Sequence, residues 1–371
     1  MYPSLLDTLG GYHIENTADW ESLRRPELMA LLENTIYGVR PAEAERNLHP
    51  TFKILCDETN FRGTPTHFVK VEITAGGYTF AVRGFLPEQA SADHPVPVFV
   101  YVMHEYQEDQ FDLEETPDCI NVPIQQINAR GYAVFVMPTS QIYPDEEHKA
   151  DYRAGVFAHF QPDRSLRRDN DWATISAWAW GASRVLDYLE TDPRVNAKEA
   201  AVVGHSRGGK TALWCGATDT RFALSISNAS GCSGAAMHRD KIKEGETIRA
   251  INRTDWFCGN YHKYNDLDNI LPCDQHMLIA AIAPRLCYVE SCSEDLWAAP
   301  ASERLSCRLA GDAYALYGKK GAVLPEESAI TADTPYHEGN IGYHMKSGPH
   351  CILAYDWEQY MNFWDKKRAE Q

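Results

Sequence analysis

Several things are missing from this sequence, and each absence closes off a class of function. No stretch of the 371 residues approaches the ~18 uncharged apolar residues needed to cross a bilayer, so no transmembrane segment is expected. The start, Met1-Tyr2-Pro3-Ser4-Leu5-Leu6-Asp7, has no basic segment ahead of an apolar run; the expected location is therefore cytoplasmic, or secreted if a leader has been removed. The ten cysteines, at 56, 119, 215, 232, 258, 273, 287, 292, 307 and 351, include no C-x-x-C pair, which argues against a zinc site and for reduced thiols. Internal repeats, low-complexity segments and long linkers are absent. Positive charge is in deficit: 35 Lys and Arg against 52 Asp and Glu leave a formal charge of -17, which repels nucleic acid and anionic membranes.

What is present is ordinary globular composition in a chain long enough for one large core, read as a single α/β domain over 1–371. Residues 1–65 are expected to form an irregular, helical region packed on it. His67 to Ile73 alternates as a half-buried strand, and Thr79 to Leu86 is its hairpin partner across Gly76-Gly77. Then the pattern changes to short, unbroken apolar runs: Val96–Met103, Tyr132–Met137, Ala200–Gly204, Ala223–Ser227 and Leu286–Val289. Such runs suit strands covered on both faces of a parallel sheet. Helical stretches fall between them, near 171–190, 207–217 and 301–309. Antiparallel strands followed by parallel strands with intervening helices predict an α/β-hydrolase fold, with helices on both faces of a mostly parallel sheet.

Gly204-His205-Ser206-Arg207-Gly208 matches G-x-S-x-G and lies between a predicted strand and a predicted helix, the context in which that pattern carries a nucleophilic serine. The flanking glycines leave room for a sharp turn, and the helix N-terminus offers N–H groups to a developing oxyanion. A serine needs a base and the base an orienting acid, in the order Ser, acid, His for this fold. The loop after the Leu286 strand supplies Asp295, with Glu294 as the alternative. Among His337, His344 and His350, the last lies in a loop just before a terminal helix near Asp356, where the base belongs; His344 is expected on a strand as a packed histidine.

These residues carry a resemblance. Gly204 to Lys210, Ser227 to Gly234, Trp256 to Tyr261, Leu271 to His276, Ala283-Pro284-Arg285, Asp295-Leu296-Trp297 and Gly342-Tyr343-His344 together resemble the glucuronoyl esterases of carbohydrate esterase family 15, from about Trp20 to Trp357. The resemblance implies a serine hydrolase of (4-O-methyl-)glucuronic acid esters with no cofactor or metal, whose partner is a small-molecule or oligosaccharide uronate ester. It implies that Arg207 helps hold the oxyanion, that Lys210, Glu246 and Trp297 contact the uronate, and that Trp256 lines the pocket. Two departures stand out. Many members have a Glu as triad acid within the segment that reads Asn228-Ala229-Ser230, and Ala229 moves that role to Asp295. Val102-Met103-His104-Glu105-Tyr106 replaces an Asn/Gly-rich segment near the oxyanion hole.

Alternatives stay open at this point. On residue types alone Lys210 is also a solvated helix lysine, Arg207 a structural ion-pair residue, and Glu246 a surface charge with Glu244 close by. Trp172, Trp178 and Trp180 are read as packing, Asp274-Gln275-His276 as structural, and Asp145-Glu146-Glu147 as a solvated loop. A sugar acetyl esterase, and a carbohydrate-binding homologue that has lost activity, are the competing functions.

Overall fold

The computed structural model describes residues 2–104, 112–115, 119–145, 152–239, 245–252 and 255–370. Nine strands form one sheet in the order β1-β2-β3-β5-β4-β6-β7-β8-β9. β1 (Thr51–Glu58), β2 (Thr66–Ala75) and β3 (Tyr78–Pro87) are antiparallel, and β3 meets β5 (Ala133–Pro138) antiparallel as well. From there every pair is parallel: β4 (Val96–Met103), β6 (Val195–His205), β7 (Leu224–Asn228), β8 (Leu286–Cys292) and β9 (Ile341–Lys346). The β2–β3 turn is made by Gly76 and Gly77, both at positive φ (57° and 84°), as a tight hairpin requires.

The apolar runs are explained by packing on both faces. In β4, Val98, Val100 and Val102 enter one buried cluster and Phe99, Tyr101 and Met103 the other. The first cluster is closed by α1 (Thr174–Leu189), α2 (Arg207–Thr218) and α3 (Pro300–Leu316), the second by α4 (Ala354–Ala369), whose Trp357, Phe363 and Trp364 cover the sheet. Side chains alternate across a strand, so burial on both sides leaves no polar phase in the sequence. No helix among the described residues is long and apolar enough to cross a membrane.

The expected character of residues 1–65 needs correction. Its helical turns between Thr17 and Tyr37 are present, and Trp20, Leu28, Leu32, Ile36 and Tyr37 join the first cluster. The segment also contains β1. Its alternation of Phe52, Ile54 and Cys56 is broken by exposed Leu55 and by a register shift between Ile54 and Cys56, which blurs the period of an edge strand. The tryptophans pack as expected, with Trp178 and Trp180 donating to the Tyr143 and Ala44 carbonyls at 2.9 and 2.8 Å; Trp172 sits just before α1, not on it.

Candidate active site

β6 runs into α2 through Ser206 alone, and the turn is sharp enough to force that residue to φ 56°, ψ -123°. A side-chain carbon at Gly204 would lie 2.2 Å from the Gly208 backbone, and one at Gly208 would lie 2.7 Å from the Val102 carbonyl oxygen. The glycines are therefore required by the crossing of strand and helix. The Ser206 N–H donates to the Asn228 carbonyl at 2.8 Å, which ties the elbow to β7. Ser206 itself is half-buried, at the C-terminal edge of the parallel strands.

Two loops at that edge bring the other triad candidates together. Asp295 follows β8, and His350 lies between β9 and α4. His350 Nδ1 is 2.5 Å from Asp295 Oδ2. The second carboxylate oxygen, Oδ1, accepts from the Ala298 N–H at 3.2 Å, so the acid is held from both sides. Glu294 is exposed, and the partner of His350 is Asp295. His344 lies on β9, with Nδ1 3.0 Å from the Tyr288 hydroxyl and Nε2 2.9 Å from Asp356. His337 also contacts the Tyr288 hydroxyl, at 2.9 Å.

His350 is not the only imidazole at the elbow. The His205 ring lies 4.4 Å from that of His350 and 6.1 Å from that of His104. Burial, reinforced by Arg207 and His350, pushes His104 down to about 3. Burial likewise holds His205 well below the usual imidazole range, and His350 and His104 add to the effect. Both stay neutral at neutral pH. His104 belongs to the unusual segment after β4; Glu105 and Tyr106 of that segment lie outside the described residues.

Arg207 is ion-paired with Asp145, and its guanidinium carbon lies 4.6 Å from the centre of the Trp256 ring. The Trp256 indole in turn donates to Asp145 Oδ1 at 2.9 Å. Asp145 is thus a buried anchor, its side chain 4% exposed, and not part of a solvated loop; it offsets the cost of sequestering the guanidinium. Glu146 and Glu147 lie outside the described residues. The Arg207 Nε is buried and has no hydrogen-bond partner among the described residues.

Lys210 is buried, not a solvated helix lysine. Its Nζ donates to the carbonyls of Ser230 and Cys232 at 2.7 and 2.6 Å and to Glu246 Oε2 at 3.0 Å, which engages all three ammonium protons. Glu246 also accepts from the Cys232 N–H at 3.0 Å and, through Oε1, from the Trp297 indole at 3.2 Å. A buried lysine, a carboxylate and a Trp297 ring that is 55% exposed therefore form one chain from core to solvent. Glu244 lies outside the described residues.

Sequence reasoning missed a layer of buried charge beneath these loops. Ala229 occupies the position without a carboxylate at φ 44°, and its N–H donates to the Glu290 carbonyl at 2.9 Å. Glu303, fully buried on α3, accepts from the Gly231 N–H at 2.9 Å and the Ser291 hydroxyl at 2.6 Å; burial pushes its carboxyl up to about 7. Glu290, His344 and Asp356 place ligand-type atoms within 4.8 Å of one another. The cation facing the two carboxylates is the Lys346 ammonium, 4.0 Å from Glu290 and 3.9 Å from Asp356. Burial opposes that charge, but the two carboxylates outweigh it and raise the ammonium's pKa. The available signal was a Glu inside an otherwise apolar strand run. Asp274 is structural as read: it caps the helix Gln275–Ala280 and accepts from the His238 N–H at 2.7 Å.

The sequence matches the family described as glucuronyl esterase, fungi, over residues 115–318. It is 43% identical to a carbohydrate esterase of an unknown prokaryotic organism over 248 residues, which cover 65% of this chain and 55% of that relative. The chain thus spans about half the length of that curated relative. Two solved structures align along nearly the whole chain. A promiscuous esterase of carbohydrate esterase family 15 from the marine bacterial metagenome is 33% identical, with a TM-score of 0.86, over 98% of this chain and 96% of the other. A glucuronoyl esterase from Solibacter usitatus is 32% identical, with a TM-score of 0.87, over 98% and 97%.

Proposed function

The chain belongs to carbohydrate esterase family 15, and from that premise we propose that it is a serine hydrolase of (4-O-methyl-)glucuronic acid esters. The observation that carries the reading is the conjunction of a serine at positive φ on a strand–helix elbow with an Asp295–His350 pair at 2.5 Å, whose imidazole lies 4.4 Å from that of His205, the residue before the serine. Asp295 holds the proton of His350 on Nδ1, which leaves Nε2 to take the Ser206 proton. Ser206 attacks the uronate carbonyl, the oxygen becomes negative, and the backbone N–H of Arg207, the residue after the nucleophile, is the donor this elbow offers, with the Arg207 guanidinium adding positive charge from the same residue. His350 then protonates the departing alcohol, and water cleaves the acyl-enzyme by the same route.

For the sugar, Glu246 supplies carboxylate oxygens oriented by Lys210 and the Cys232 N–H, and Trp297 supplies an apolar face. Aromatic faces and a few fixed polar atoms are what a pyranose requires. Lys210 acts in this reading by fixing Glu246. Its fully engaged protons also favour a second reading, hydrolysis of sugar acetates, in which no uronate hydroxyl needs a free lysine. Ser206→Ala tests the chemistry: hydrolysis of methyl glucuronate should fall on the order of 10⁴-fold or more. Near-wild-type turnover by that variant would end the proposal, and the wild-type rate ratio of methyl glucuronate to 4-nitrophenyl acetate separates the two substrates.

A further inference from the structure

Below the triad loops, three side chains meet that ester hydrolysis does not use. The Lys346 Nζ lies 3.2 Å from Cys292 Sγ and 3.2 Å from Cys351 Sγ, and it donates to the Cys351 carbonyl at 2.8 Å. One nitrogen shared in this way keeps the two sulfurs no farther apart than twice that distance. The Cys292 sulfur is also 3.7 Å from the Cys351 carbonyl oxygen. Cys292 ends β8, three residues before Asp295, and Cys351 directly follows His350. Both ends of the acid–base pair are therefore within a few residues of this cluster.

The two thiols differ in access. Cys351 is half-buried, and its sulfur lies near the surface, 3.3 Å from the Pro349 carbonyl. Cys292 is buried, and burial together with Glu290 keeps its thiol protonated. That division of an accessible sulfur and a protected neighbour is the arrangement of a peroxide-reactive thiol with a resolving partner. We propose that Cys351 and Cys292 form a peroxide-sensitive thiol pair that closes to a disulfide and reversibly switches off the site by displacing His350. In the first step the Cys351 sulfur attacks a hydroperoxide: an S–O bond forms, the O–O bond breaks, and water (or an alcohol) leaves. In the second, the Cys292 sulfur attacks the sulfenic sulfur, the S–S bond forms and the S–O bond breaks. Lys346 gives a proton to the departing oxygen and regains one from the Cys292 thiol. With hydrogen peroxide, two thiols and one peroxide yield one disulfide and two waters. Closure draws the Cys351 sulfur to bonding distance of Cys292, and because Cys351 directly follows His350, the loop carrying His350 moves with it.

The experiment is non-reducing peptide mapping of the whole protein after graded hydrogen peroxide, with activity measured on the same samples. Expected are a Cys292–Cys351 cross-linked peptide, loss of activity in proportion to the cross-linked fraction, and recovery of both with dithiothreitol. Cys351→Ser should stay active through the treatment, and Cys292→Ser should leave a sulfenic acid at position 351 that dimedone traps. Cys56, the other half-buried cysteine, is the internal comparison for simple exposure. Oxidation of Cys56 ahead of Cys351, or oxidation of Cys351 to sulfinic acid with Cys292 untouched, would overturn the proposal. The activity readout rests on the esterase reading, whereas the cross-link in wild-type protein does not, so either can fail alone.

Discussion

Asp295→Asn is the most demanding test of the site because it changes one atom and leaves the shape intact. In the native loop Oδ2 faces His350 Nδ1 at 2.5 Å while Oδ1 accepts from the Ala298 N–H at 3.2 Å. An asparagine has one acceptor and one donor end. Keeping its oxygen on Ala298 turns the NH₂ toward His350, whose Nδ1 must then accept; the ring proton moves to Nε2, where the Ser206 proton should go. The opposite flip restores the tautomer but sets the NH₂ against the Ala298 N–H, a mismatch worth about 1–3 kcal/mol. Either way the imidazolium formed during catalysis loses its carboxylate. The turnover number for methyl glucuronate at neutral pH should fall by about 10³–10⁴-fold, the scale known for this tautomer error in other triads. Thermal stability should change little, and labelling of Ser206 by a fluorophosphonate should slow in step with turnover. Turnover within about tenfold of wild type would refute the assignment of Asp295, most directly if Glu294→Gln were then the damaging change.

Three further outcomes follow from the geometry. Trp297→Ala removes an exposed ring, so stability should shift by less than about 0.5 kcal/mol, while KM for a glucuronate ester should rise roughly tenfold with 4-nitrophenyl acetate unaffected. Asp145→Asn leaves the Arg207 guanidinium without its counter-charge but keeps the shape; if Arg207 serves the oxyanion, steady-state kinetics should show a lower turnover number, by about tenfold, at little changed KM. Glu303 has its folded carboxyl raised to about 7 by burial, above the ordinary 4.5, so the folded state binds the extra proton between those values. This contribution should accordingly be full below pH 4.5 and be lost as pH rises through 7, by about 2 kcal/mol between pH 5 and pH 7, and thermal melts of Glu303→Gln should lose that slope.

Much of this molecule was legible in one dimension. The elbow is a local object, because glycine spacing and a strand–helix junction are written in consecutive residues, and Gly204 and Gly208 meet the close approaches that their pattern implied. Doubly covered strands announce themselves as unbroken apolar runs, so β4 to β8 could be placed, whereas β1 at the sheet edge lost its period to a bulge and was missed. Asp295 and His350 could be chosen by chain order and position relative to strands.

The contacts that set the character of the site could not. Lys210 and Glu246 are 36 residues apart, Arg207 and Asp145 are 62 apart, and each pair is made only when a loop that follows another strand reaches the first turn of α2. A charge in a sequence shows its sign but not its burial. Glu303, Glu290 and Lys346 read as ordinary polar residues until the sheet and α3 close over them. From the sequence alone came the strand–helix elbow with its candidate nucleophile Ser206, the candidate order of acid and base, and the sheet that presents them. Tertiary structure alone decided which acid reaches His350, that Asp145 is an anchor and not a solvated charge, and that the Lys210 protons are engaged before any sugar arrives. The reason is that hydrogen-bond partners and desolvation are properties of three-dimensional neighbourhoods, which residue order specifies only through the completed fold.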